Sequence, residues 1–131
     1  MIGNYKIITL CGSTRFKDEF IKAQKDLTLQ GNIVISVGLF GHSGDVEVWD
    51  GQTKTMLDDM HKRKIDLADE IFVINVGGYI GKSTASEIQY AHEHGKKVNY
   101  LEPLTESEKW KFRKKMTYGR SSEKKSRNPL S

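Results

Sequence analysis

Two side chains in this sequence are placed to do chemistry, each just past a glycine. Glu87 stands six residues after Gly81, at the end of Gly77-Gly78-Tyr79-Ile80-Gly81-Lys82-Ser83-Thr84-Ala85-Ser86-Glu87. Arg15 stands three residues after Gly12, in Gly12-Ser13-Thr14-Arg15. A carboxylate facing a bound sugar can attack its anomeric carbon, as in retaining glycosidases. The first turn of a helix favours its ionised form through the helix dipole. The same letters admit a structural role, because Thr84-Ala85-Ser86-Glu87 is a capping box, Thr-x-x-Glu, in which the carboxylate closes a helix end. The sequence leaves both roles open. Around Arg15, glycine lets backbone approach an anion, serine donates a hydrogen bond and the guanidinium grips phosphate with two. The alternative is that Ser13 or Thr14 is a plain N-cap and Arg15 is solvated.

Other chemistries are excluded by spacing. Gly81-Lys82-Ser83 invites comparison with a P-loop, but the glycine required five residues earlier is Val76. His92 and His94 are two apart and do not share a helix face as a metal pair would. Cys11 is the one cysteine, so there is no disulfide framework and no cysteine cluster for zinc. No metal site is expected. His61 falls near the middle of a helix, where a surface position is its simplest reading. Lys62-Arg63-Lys64 reads as a solvated helix face, and Asp45, Glu47, Trp49 and Asp50 as a lid or as solvent contacts of a long loop.

The elements that position these residues alternate. Tyr5 to Leu10 is β-rich and ends in Gly12-Ser13. Phe16, Phe20, Ala23 and Leu27 recur at helical spacing before Gly31. Ile33 to Val37 is a second strand, and Gly38 to Gly51 a long loop. Thr53 to Leu67 is a helix with Met56, Met60, Lys64 and Leu67 on one stripe. Ile71 to Val76 is a near-continuous apolar strand of the kind buried on both faces of a parallel sheet. A helix from Thr84 to His94 stops at Gly95, and Lys97 to Leu101 is a last strand. Such alternation predicts a parallel sheet with right-handed crossovers and ligands at the carboxyl ends of its strands. The loops from Cys11 to Arg15 and from Gly77 to Ser83 lie at that edge, each before a helix N-terminus that attracts phosphate or carboxylate. Gly78 and Gly81 are therefore candidate binding positions, and Ile71 to His94 is the expected working segment.

The chain has 131 residues and a net charge of +4, which suits one domain over 1–104. An amphipathic helix follows in 105–118, from Ser107 to Met116 and anchored by Trp110, and then a basic, disordered tail over 119–131. From Thr105 to Ser131 there are 9 basic and 3 acidic residues, and the rest of the chain carries a balance of −2. The basic pI thus belongs to the tail, and the body gives no strong nucleic-acid signal. The first apolar run is too short for a signal peptide or a membrane span, so a cytoplasmic location is expected.

Taken in order, Gly12-Ser13-x-Arg15, Ala68-Asp69-Glu70 entering an apolar strand, the glycine loop, Glu87-Ile88-x-Tyr90-Ala91 and Gly95-Lys96-Lys97-Val98 resemble the nucleoside 2-deoxyribosyltransferase superfamily, which includes the nucleoside 5′-monophosphate N-glycosidases. The resemblance spans Ile7 to Leu101 and is most specific from Ala68 to Val98. It implies a flavodoxin-like Rossmann fold, a three-layer sandwich on a parallel sheet of four to five strands. It implies homodimers whose neighbouring subunits complete each site, and no metal or organic cofactor. It implies cleavage or transfer of the N-glycosidic bond of a nucleoside or nucleotide, with Glu87 as nucleophile. Gly12, Ser13 and Arg15 match the sugar-phosphate segment, and Ser83 and Ser86 fall in the loop that reaches the 5′ end of the ligand. Where the family usually has an aspartate eight residues before Asp69, this chain has His61, which can serve as the acid. Gly81 stands where the family usually has an acidic residue or serine. The spacing also resembles, more distantly, the phosphoribohydrolases that release cytokinin-type bases. The alternative to an enzyme is a module that holds a nucleotide without turning it over.

Overall fold

The computed structural model describes residues 1–41 and 50–109. Four strands, β1 (Ile7–Gly12), β2 (Ile33–Ile35), β3 (Glu70–Ile74) and β4 (Lys97–Tyr100), form one all-parallel sheet in the order β2-β1-β3-β4. Three helices, α1 (Lys17–Leu29), α2 (Gly51–Asp66) and α3 (Lys82–Glu93), make the crossovers. The fold is the expected flavodoxin-like α/β sandwich.

The period of two along each strand explains the layers. Leu10, Phe72 and Ile74 point to one face and pack with Phe20 and Ala23 of α1. Cys11, Ile71 and Val73 point to the other and pack with Ile65 of α2 and with Ile88 and Ala91 of α3. Both clusters are built on fully buried side chains, and full burial of one such as Phe20 or Ile65 contributes roughly 2–3 kcal/mol. β1 and β3 are central, so their apolar runs are covered on both sides.

α2 differs from its sequence pattern. Met56, Met60 and Leu67 are exposed, while His61 and Ile65 face the sheet. The helix is polar enough to carry two competing stripes, and the one that reaches the sheet is set by where Ile65 packs. Asp50 is the N-cap of α2, accepting from the Thr53 amide at 2.9 Å. Asp45, Glu47 and Trp49 lie outside the described residues, as do Trp110 and the tail. Of the expected last helix only the start is described. There Thr105 and Glu108 form a reciprocal capping box, with N–H···O distances of 2.8 and 3.1 Å.

The Ala68-Asp69 motif turns out to hold the opposite edge. Asp69 accepts from the Ile7 amide through Oδ2 and donates its own amide to the Ile7 carbonyl, both at 2.8 Å, fixing where β1 starts beside β3. Among the described residues no helix is long and apolar enough to cross a membrane.

Candidate active site

The strand order reverses direction of build between β1 and β3, and the loops leaving those strands diverge there into a crevice. A cavity of about 340 Å³ fills it, within the range of small-ligand pockets. Gly12, Ser13, Arg15, His61, Gly81, Ser83 and Glu87 all line it. Gly78 and Ser86 do not. The Gly78 amide donates to the Asn75 carbonyl at 2.8 Å and the Gly77 amide to Glu102 Oε2 at 2.8 Å, so this half of the glycine loop is held by its own turn and by the segment that follows β4. Ser86 is exposed on α3 away from the cavity.

Gly12 is where β1 hands the chain to the loop. Its φ is +150°, and a Cβ there would stand 2.8 Å from the Ile74 carbonyl oxygen. Only glycine lets β1 pass that close to the end of β3. The loop then turns through a Phe16 amide to Ser13 carbonyl bond of 3.1 Å, and α1 begins with no side-chain cap. Ser13 is therefore not the N-cap. Its Oγ instead accepts from Arg15 Nε at 3.1 Å. The guanidinium lies over the Tyr79 ring, 4.5 Å from its centroid, and Nη2 reaches Tyr79 Oη at 3.5 Å. Phe16 meets the same ring edge-on at 6.0 Å. The two loops are thus joined through Tyr79, a residue that spacing gave no reason to single out.

The capping role of Glu87 does not survive. α3 begins at Lys82 with Gly81 as N-cap, so Thr84 is already inside the helix and buried, and no side chain closes the end. Glu87 turns inward instead, with its side chain 13% exposed, and its Oε1 lies 3.9 Å from His61 Nε2. His61 is buried, not a surface residue, because the sheet-facing stripe of α2 runs through it. Its Nε2 is 3.5 Å from Cys11 Sγ, and the thiol also hydrogen-bonds to the Glu87 carboxyl.

Burial sets the protonation of this group. It pushes Glu87 up from 4.5 to about 7, with the Asp58 charge adding to the rise and the Cys11 hydrogen bond opposing it. Burial pushes His61 down from 6.5 to about 4, helped by the Lys64 charge. It also raises the Cys11 thiol, which the adjacent Glu87 raises further. The His61–Glu87 contact is accordingly not an ion pair at neutral pH, because the imidazole carries no charge.

Lys64 is not part of a solvated face. Its Nζ donates to the Ser36 carbonyl at 2.8 Å, and the residue borders the cavity. With Arg15, Lys54 and Lys82 it gives the lining four basic side chains against Asp58 and Glu87. Lys54 and Asp58 pair at 3.0 Å, which leaves an excess of positive charge suited to an anionic ligand. Sequence reasoning passed over Cys11, Lys64 and Tyr79. Cys11 and Lys64 enter by strand and helix phase, which no local motif encodes. No family model, curated protein or solved structure matches this chain.

Proposed function

We propose that this chain cleaves the N-glycosidic bond of a nucleoside or nucleoside 5′-monophosphate, with Glu87 as the nucleophile. One observation carries the reading: the Glu87 carboxyl, which a capping box would have spent on the helix end, is turned into a cavity walled by Arg15, Ser13 and an excess of lysines. The resemblance of Gly12-Ser13-x-Arg15 and Glu87-Ile88-x-Tyr90-Ala91 to the deoxyribosyltransferase superfamily supports the same ligand class.

In the reaction the ionised carboxylate attacks C1′ of the sugar. The bond from C1′ to the base nitrogen breaks, and its electron pair leaves with the base, which takes up a proton from water. Water, or a second base, then opens the glycosyl ester at C1′ and frees Glu87. The Ser13 hydroxyl and the Arg15 guanidinium take the 5′-phosphate. Because Glu87 must be ionised to attack, turnover rises with pH through about 7. His61, held uncharged near neutrality, orients the Cys11–Glu87 pair and is poorly suited to the acid role that the resemblance implied. The same reading carries a homodimer, to be checked by sedimentation of the full chain.

A second reading, a nucleotide-binding module without turnover, is favoured by that same neutral His61, which leaves the departing base without a separate acid. A screen of ribo- and deoxyribonucleosides and their 5′-monophosphates for free base separates the two. Release by wild type and none by Glu87→Gln supports the enzyme. Tight binding with no release from any substrate supports the module.

A further inference from the structure

Cys11, His61 and Glu87 come from β1, α2 and α3, separated by 50 and by 26 positions in the chain, and meet at one point under the cavity floor. We propose that they form a three-ligand site for a thiophilic divalent ion of the zinc class, open on its fourth side to the cavity. The grouping is the one of its kind among the described residues, with one donor atom from each side chain and all three within 4.8 Å of one another. Cys11 Sγ and His61 Nε2 are 3.5 Å apart, and His61 Nε2 and Glu87 Oε1 are 3.9 Å apart. Tetrahedral zinc, with bonds of about 2.3 Å to sulfur and about 2.0–2.2 Å to nitrogen and oxygen, holds its donors roughly 3.3–3.6 Å apart. The sulfur–nitrogen edge already has that length, the nitrogen–oxygen edge needs to close by about half an ångström, and the sulfur–oxygen edge, which lies within 4.8 Å, needs to close by up to roughly 1.2 Å.

The donor set selects the ion. Calcium and magnesium take oxygen ligands, whereas a thiolate and an imidazole beside one carboxylate suit zinc. His61 and Glu87 border the cavity and Cys11 lies behind them, so the ion and a water as fourth ligand enter from the cavity side. Binding displaces the thiol proton to solvent and forms the metal–sulfur bond, with no change of oxidation state. The site stands on this geometry and not on the glycosidase reading. If that reading holds, an ion on Glu87 ties up the nucleophile and stops base release.

The test uses the full chain, stripped with chelator and titrated with Zn²⁺ alone and with Co²⁺ alone. Wild type should bind one ion per chain, with the sulfur-to-cobalt charge-transfer band of a thiolate ligand and a Tm that rises with zinc concentration. Cys11→Ala should lose the charge-transfer band, and His61→Gln and Glu87→Gln should each bind at least tenfold more weakly. Circular dichroism reports which variants fold, and any one folded variant decides. A wild type that binds no ion overturns the proposal. So does a folded variant that binds as tightly as wild type, which would place the ion elsewhere, for example on His92 or His94. Base release does not enter either outcome, so failure of this site and failure of the glycosidase reading remain distinct.

Discussion

Replacing Glu87 with glutamine should stabilise the protein, and the gain should depend on pH. Burial raises the Glu87 carboxyl from its ordinary 4.5 to about 7 in the folded chain. Below 4.5 the group is protonated in both folded and unfolded chains and its raised pKa costs nothing. Between 4.5 and about 7 the folded chain keeps a proton that the unfolded chain releases, so stability falls as pH rises. Above that window the group is ionised in both states and the loss is complete. Each tenfold change in proton affinity is worth about 1.4 kcal/mol, so the full loss is roughly 3 kcal/mol. Glutamine fits the same volume and has no charge to desolvate. Urea unfolding of metal-free wild type and Glu87→Gln at pH 5 and pH 8 measures the difference directly. The variant should gain roughly 2–3 kcal/mol relative to wild type between the two conditions. A capping or ion-paired carboxylate predicts the reverse, a variant weaker than wild type and more so at pH 8. That result, or a difference independent of pH, refutes the desolvated-carboxylate account.

The neighbouring groups give sharper checks. His61, lowered from 6.5 to about 4, stays neutral in the fold while the unfolded chain gains a proton, so its contribution is lost as pH falls through that window. His61→Gln should therefore flatten the acid limb of stability between pH 6.5 and 4, measured by urea unfolding, and an unchanged limb would show that the imidazole is not desolvated. Gly12→Ala forces a Cβ to within 2.8 Å of the Ile74 carbonyl at a φ of +150°, and should cost roughly 1–3 kcal/mol in the same assay. Equal stability would mean that β1 and β3 can part there. Arg15→Ala should weaken a nucleoside 5′-monophosphate at least tenfold by calorimetry and leave the matching nucleoside unchanged, and equal weakening of both would remove the phosphate role.

The parallel sheet was legible because its signals are local and repeated. Apolar runs in β1 and β3, glycines at the turns and helical spacing from Phe16 to Leu27 all point to one architecture. The loop edges followed from topology, and most of the expected lining residues meet in the cavity. What the sequence did not carry is phase and partner choice. The letters Thr-x-x-Glu occur twice, at Thr84–Glu87 and at Thr105–Glu108. The second is a capping box with both hydrogen bonds made. The first is not, because α3 starts two residues earlier and Thr84 turns into the core. The motif alone cannot tell them apart. Cys11 was a lone thiol in the sequence and becomes informative only when the pleat of β1 aims it at α2 and α3. Lys64 looked solvated beside Lys62 and Arg63, until the position of Ile65 fixed which face of α2 meets the sheet. Gly78 matched a glycine-loop pattern, yet its amide is taken by Asn75, a contact that depends on the turn closing as it does.

The central claim is that Glu87 is a nucleophile facing a sugar. Chromatography of free base, released by the metal-free full chain from a panel of nucleosides and nucleoside 5′-monophosphates across pH 5 to 9, tests it most directly. The account predicts release by wild type that rises through about pH 7, and none by folded Glu87→Gln that still binds the nucleotide. Release by Glu87→Gln at the wild-type rate, or no release by wild type from any member of the panel, would contradict it.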